Sequence, residues 1–410
     1  MAENGRRFDT AEFDTAKHHP RRDRKAPKVF GEHTVPRWFY RIVLILLLCV
    51  AGTLGWMNRD NLAPATVLEW AQARVVGMGL GDGFPHSIAG TSVQPQNFLS
   101  ADKNVCFASD TSLTVLNSTA KELVSRQHSF SDPVLKLNGG RMLLYNLGGR
   151  ACQLESINRT IRKINLNQNL IAGALARQGG YALITEAEGY RGELTAYTAD
   201  GREQSHYWFS DYYPTAAALS PDGSMAAVTG VNTKNGVIQS ALYLLNLSDS
   251  KVQQPLAVYD GNMLFDICWN GDDAVTAFGD QAAVLIDAGS RSKIECSYGG
   301  KQLTAYCASA DLTVLGLSSY AGSEDSGLLI LNRSGEKLLS PSLQGTVRSV
   351  SVFGSAAAAL CGSKVYFYTS SPAGPAGTCD AGDDAKAVAL RDETSAFILG
   401  VSEIRKVSSR

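Results

Sequence analysis

AAALSPDGSMAAVTG, from Ala216 to Gly230, is the stretch that decides the fold. Two runs of small apolar β-formers flank a four-residue punctuation, Ser220-Pro221-Asp222-Gly223, with the residue types of a tight turn. SALYLLNLSD (Ser240–Asp249) then supplies a third run and KVQQPLAVYDG (Lys251–Gly261) a fourth, outer one that alternates polar and apolar residues. The unit is therefore four antiparallel strands with the last one half-solvated.

The unit recurs downstream. FDICWNGDD, AVTAFGD, QAAVLIDAGS and SKIECSYGG follow from Phe265, and TAYCASAD, LTVLGLSS, GLLILNRSG and EKLLSPSLQG from Thr304. RSVSVFGS, AAAALCGS and KVYFYTSS follow from Arg348. Weaker copies begin near Asn97, Pro133 and Ile171 upstream, and a final one near Ala385. The starts lie about 40 residues apart, and four strands at that period is the pattern of a propeller. The expectation is an all-β protein, a β-propeller of eight four-stranded blades over residues 84–410, with seven as the alternative count. The last copy shows three strands and ends at Val407, so FPHSIAGTSV (Phe84–Val93) is the expected closing segment.

The sequence ahead of the propeller reads differently. Residues 1–41 hold ten Lys/Arg and six Asp/Glu, while the rest of the chain holds 28 and 33. Between them runs IVLILLLCVAGTLGWM (Ile42–Met57), flanked by Trp38, Phe39, Tyr40 and Arg41. Counted from Trp38, its 20 residues are long enough for a bilayer, and the aromatics suit the interface. The basic tail predicts a cytoplasmic N-terminus by the positive-inside rule. The expected organisation is a disordered tail over 1–37, a signal anchor over 38–57, a juxtamembrane helix and linker over 58–83, and an extracytoplasmic propeller over 84–410. The cell membrane, single-pass, is the expected location.

Several function classes are disfavoured. A net charge of −1 lacks the cationic excess of a nucleic-acid binder. No C-x-x-C, H-E-x-x-H, G-x-S-x-G or Walker loop occurs. His86, His128 and His206 are scattered, and the Asp-rich segments Asn270–Asp273 and Asp380–Asp384 read as turns rather than calcium loops. No catalytic residue, metal or cofactor is expected. Four of the cysteines, Cys106, Cys268, Cys307 and Cys361, sit in apolar strands as small hydrophobes, and few or no disulfides are expected.

The candidate binding surface is the densest aromatic cluster, Tyr207, Trp208, Phe209, Tyr212 and Tyr213. As a platform it would stack a sugar, peptide or partner protein. Alternation along an outer strand would instead wedge about half of these rings between two blades, and that is the preferred reading. The expected function is a binding or scaffold module of the cell envelope, whose partner is an envelope protein or wall polymer. The alternative is a propeller hydrolase or lactonase, which needs carboxylates converging on the central channel. Of the inner-strand segments, only FDIC offers one, Asp266.

LSPDGSMAAV (Leu219–Val228) resembles the repeats of WD40, TolB and quinoprotein-like propellers, which implies a fold and no activity. A wider outline is more specific: Gly81–Pro85, DTSLTVLNSTAKE (Asp110–Glu122), DPVLKLNGGRMLLYNLGG (Asp132–Gly149) and HYWFSDYYPTAAALSPDG (His206–Gly223). With the basic tail and anchor, it resembles an uncharacterised family of membrane-anchored β-propeller proteins of Gram-positive bacteria. That resemblance implies the architecture and carries over no site residue.

Overall fold

The computed structural model describes residues 37–57, 79–90, 92–101, 103–320, 325–369 and 375–409. The expected tail, apart from Arg37, and the juxtamembrane helix lie outside these residues, as does all but the last part of the linker. A helix runs over Arg37–Met57. Among the described residues, however, no helix is long and apolar enough to cross a membrane, so the structure does not bear out the expected span.

From His86 onward the chain forms eight sheets, each with its strands in antiparallel register. The first sheets run Val93–Ala101, Asn104–Ser109, Ser112–Leu116, Glu122–Gln127, then Pro133–Asn138, Arg141–Asn146, Ala151–Ser156, Thr160–Asn165. Blade 3 follows from Leu170 and ends with Glu203–Phe209, and blade 4 from Tyr213 to Asp260. Blades 5, 6 and 7 begin at Leu264, Gln302 and Val347. In blade 6 the outer strand is split into Lys337–Leu339 and Ser342–Gln344, both on Asp325–Asn332. Pro341 lies in the break, where a residue without an amide proton cannot extend the ladder. Blade 8 consists of Ala387–Leu390, Ser395–Leu399 and Glu403–Ser408, and its fourth strand is His86–Ser87. The count is thus eight and not seven.

Closure uses only part of the expected segment. His86 pairs with Ile404 and Ser87 with Glu403, and the Ile88 amide donates to the Ser402 carbonyl at 2.9 Å. Val93 belongs to the inner strand of blade 1. Phe84 lies against Phe397, ring centroids 5.4 Å apart. The ring is therefore joined by both ends of the domain, which protects the terminal strands from free edges.

Eight hydrophobic clusters fill the eight gaps between neighbouring blades. The runs of alanine explain how the blades approach. Ala356–Cys361 is buried at every position, because a second strand is covered by a neighbouring blade on each face. These small residues therefore lie on second strands as well as on innermost ones such as Tyr213–Leu219.

Polar ties stitch the innermost strands across the gaps. Asn97 of blade 1, fully buried, donates from Nδ2 to the Pro133 carbonyl at 2.6 Å and accepts the Leu135 amide at 2.9 Å. Asn138 donates to the Leu175 carbonyl, Thr215 to the Leu264 carbonyl, and Ser349 and Ser351 accept the Val388 and Leu390 amides. An innermost strand has backbone groups on the side away from its own sheet, and these side chains satisfy them.

Candidate functional site

The aromatic cluster divides along the outer strand of blade 3. Phe209 and Tyr207 turn toward blade 4 and meet Tyr243, Phe209 edge-on with centroids 5.4 Å apart and Tyr207 at 6.3 Å. The Tyr207 hydroxyl donates to the Gln253 carbonyl at 2.6 Å, and burial pushes its pKa up. Tyr212 also packs on Tyr243, at 6.4 Å. Tyr207 and Phe209 thus wedge two blades together as alternation predicts, and Tyr212 joins them from the connection that follows the strand.

Trp208 and Tyr213 do not. They are 46% and 49% exposed. Trp208 stacks on His206 with centroids 4.2 Å apart and planes 12° from parallel, and lies 6.1 Å from Tyr190. His206 is held by two carboxylates, Nε2 at 3.0 Å from Glu193 and Nδ1 at 3.4 Å from Glu203. Beside it, the Arg191 guanidinium sits 4.6 Å above the Tyr213 ring, and it also donates to the Tyr213 hydroxyl.

The chain path explains why these residues meet. Tyr190 and Arg191 occupy the loop between the second and third strands of blade 3. Trp208 is near the end of the outer strand, and Tyr213 starts the next blade. Both connections emerge at the same end of a propeller blade, so the exposed group forms a patch at one end of the disk. Tyr190 and Arg191 escaped the sequence reading because they sit 17 positions or more before Trp208. The available signal was GYRG (Gly189–Gly192), an aromatic-Arg pair between two glycines in a turn.

The central channel holds a second polar group. Lys136 of blade 2 reaches Asp266 of blade 5, Nζ to Oδ1 3.9 Å, and the Tyr306 hydroxyl of blade 6 donates to Asp266 Oδ2 at 2.9 Å. The Asp266 charge raises the Lys136 pKa, so the ammonium form is favoured. Asp266 is the one acidic residue on the eight innermost strands. Its oxygens already take a cation, a phenol and the Ile267 amide. A glycosidase-type mechanism uses two carboxyl groups, one as acid and one as base or nucleophile. Nearby Cys268 and Cys307 are pushed up to about 12 and about 11 by burial, which keeps them as thiols near neutral pH. The sequence reading found Asp266 and missed Lys136, because a cation three blades away is adjacent only once the ring has closed.

Among the described residues, no group of three or more His, Cys, Asp or Glu side chains is arranged to hold a metal ion. Asp380 and Asp384 take part in local contacts: Asp380 accepts the Gly382 amide, and Asp384 pairs with Arg405 at 2.5 Å.

Comparison with known proteins agrees with this architecture. The model of the Family of unknown function (DUF5711) matches residues 86–373. No curated protein sequence matches the chain. Among solved structures, the C-terminal WD40 domain of Sif2 is similar with a TM-score of 0.53 at 10% identity, covering 81% of this chain and 98% of that one. Sqt1 of Saccharomyces cerevisiae gives 0.52 at 10% identity, with 79% and 96% covered. Apo AztD from Citrobacter koseri gives 0.50 at 10% identity, with 77% and 90% covered. At such identities the likeness is one of fold.

Proposed function

This chain belongs to the Family of unknown function (DUF5711), and from its eight-bladed architecture we propose that it is a binding or scaffold module that engages a protein partner in the bacterial cell envelope. The observation that carries the reading is the exposed patch of Tyr190, Trp208 and Tyr213 with Arg191. Trp, Tyr and Arg are the residues that dominate binding energy at protein interfaces, and the two aromatics bury large area while losing little side-chain freedom. Here the rings are already ordered by His206 and Arg191, which lowers the cost of binding further.

The membrane anchor is part of the same proposal. Its support is the apolar run Ile42–Met57 behind a tail with four more basic than acidic residues. In this arrangement the tail is cytoplasmic and the propeller extracytoplasmic.

Two measurements test the reading. Protease added to intact cells should digest the propeller and spare residues 1–41, and protection of the propeller refutes the orientation. A photo-reactive amino acid at position 208 should cross-link to a defined protein band, whereas the same probe at Lys293 on blade 5 should not. Equal yields at both positions refute the patch as the binding surface.

A further inference from the structure

Blades 2 and 3 carry a different charge from the rest of the protein. Residues 133–209 contain nine Lys/Arg and six Asp/Glu, whereas residues 42–132 and 210–410 together contain nineteen and twenty-seven. Part of this basic excess is gathered at one place. A cleft of about 290 Å³ opens between the two blades, lined by Arg141, Arg159, Arg162, Tyr181, Asp200 and Gly201 among others. It lies among the turns that join first to second and third to outer strands, at the opposite end of the disk from Trp208 and Arg191.

The guanidinium groups are held in place by the chain. Arg141, 3% exposed, donates from Nη1 to the carbonyls of Gly179 and Ala199, both at 2.9 Å. Arg162 donates from Nη2 to the Asp200 carbonyl at 2.9 Å. Both guanidinium groups lie against glycine. A Cβ on Gly179 would come within 2.9 Å of the Arg141 guanidinium carbon, and one on Gly201 within 2.5 Å of that of Arg162. Arg159 and Arg162 are exposed at the mouth, and Arg141 forms the buried floor. The positive potential reaches the Tyr181 hydroxyl, where Arg162 and Arg141 oppose the rise that burial causes.

The acidic groups nearby are already engaged. Asp200 takes the Thr198 hydroxyl and Arg202 Nε, the latter at 2.6 Å. Glu155 takes Arg126 at 2.8 Å and Thr160 at 2.9 Å. The cleft therefore presents more positive than negative charge, through oriented planar groups. Guanidinium forks match the tetrahedral oxygens of phosphate, and the volume is close to the lower limit of about 300 Å³ for small-ligand sites.

We propose that this cleft binds a phosphate-bearing ligand, with Arg159 and Arg162 contacting the oxyanion and Arg141 supplying the fixed charge behind it. Two sources share this chemistry, a free phosphorylated small molecule and a phosphodiester polymer of the envelope. The inference is independent of the aromatic patch, which lies at the other end of the disk.

The test uses the full chain in non-ionic detergent and titration calorimetry with pyrophosphate, inorganic phosphate and a short poly(glycerol phosphate). Binding of at least one probe is expected, weakening steeply as salt is raised. Arg159→Gln and Arg162→Gln should each weaken it by about tenfold or more, as loss of a charge-assisted bond does. Arg162→Lys keeps the charge without the fork and should fall between. Lys293→Gln, exposed on blade 5, should bind as the parent does. Binding of pyrophosphate alone assigns a free ligand, and of the polymer alone a phosphodiester chain. The proposal is overturned if none of the three probes binds. It is also overturned if the variants, checked for unchanged melting temperature without ligand, bind as tightly as the parent.

Discussion

Asn97→Ala is the substitution that most directly probes how the ring is held together. The side chain is fully buried at the junction of blades 1 and 2 and makes two hydrogen bonds to the innermost strand of blade 2. Alanine removes both partners and leaves the Leu135 amide and the Pro133 carbonyl without them. A buried backbone group left unsatisfied costs about 1–3 kcal/mol, so two such groups cost roughly 2–6 kcal/mol. Water entering from the channel side can recover part of this, which places the expected loss at about 2–4 kcal/mol. Urea unfolding followed by tryptophan fluorescence reads the change directly. The midpoint should fall at constant slope, since the surface exposed on unfolding is unaltered. Asn97→Asp provides the internal check. It can still accept the Leu135 amide but cannot donate to Pro133, and at neutral pH it buries a carboxylate facing a carbonyl. It should be no more stable than the alanine variant at pH 7, and should recover as acid protonates it. A loss below about 0.5 kcal/mol for Asn97→Ala would refute the reasoning, because it would mean that these ties between innermost strands are dispensable.

Other outcomes follow from the same geometry. A chain beginning at Gly81 should melt well above one beginning at Gln96, since only the first keeps His86–Ser87 on blade 8 and Phe84 on Phe397; equal melting temperatures would show that closure lies elsewhere. Lys136 has its pKa raised chiefly by Asp266, so its contribution is fully present below the ordinary lysine value and is lost as pH rises through the raised one. The stability difference between the parent and Lys136→Met should therefore hold between pH 7 and 9 and shrink above about 10.5; a difference that is flat to pH 12 would show that the ammonium charge is not involved. Cys106 and Cys152, pushed up to about 12 by burial, should resist a thiol reagent at pH 8 until urea unfolds the domain, and prompt labelling would contradict their burial.

How far the sequence went can be judged from particular residues. The blade repeat is a local property: turn residues such as Pro221-Asp222-Gly223 and the two-residue alternation of strands are written within ten or so positions, so the four-stranded unit and the count of eight could be read from the chain. The burial of Tyr207 and Phe209 followed from the same alternation. The need for closure was legible too, because the last copy lacked a strand. Which residues supply it was legible only approximately, since two residues, His86 and Ser87, carry no pattern of their own.

What the tertiary structure decided are the encounters between residues far apart in sequence. Lys136 and Asp266 meet because the ring brings blades 2 and 5 to a shared channel. Arg141 and Arg162 line a cleft with Asp200 because adjacent blades present the same turns at the same end. Trp208 and Tyr213 are exposed while Tyr207, Phe209 and Tyr212 pack on Tyr243 of blade 4, and Tyr190 and Arg191 join the exposed pair, because two connections of blade 3 emerge together. Periodicity fixes which way a side chain points from its own strand. What it then meets depends on the angle and distance to another blade, and those are set by packing around the whole ring.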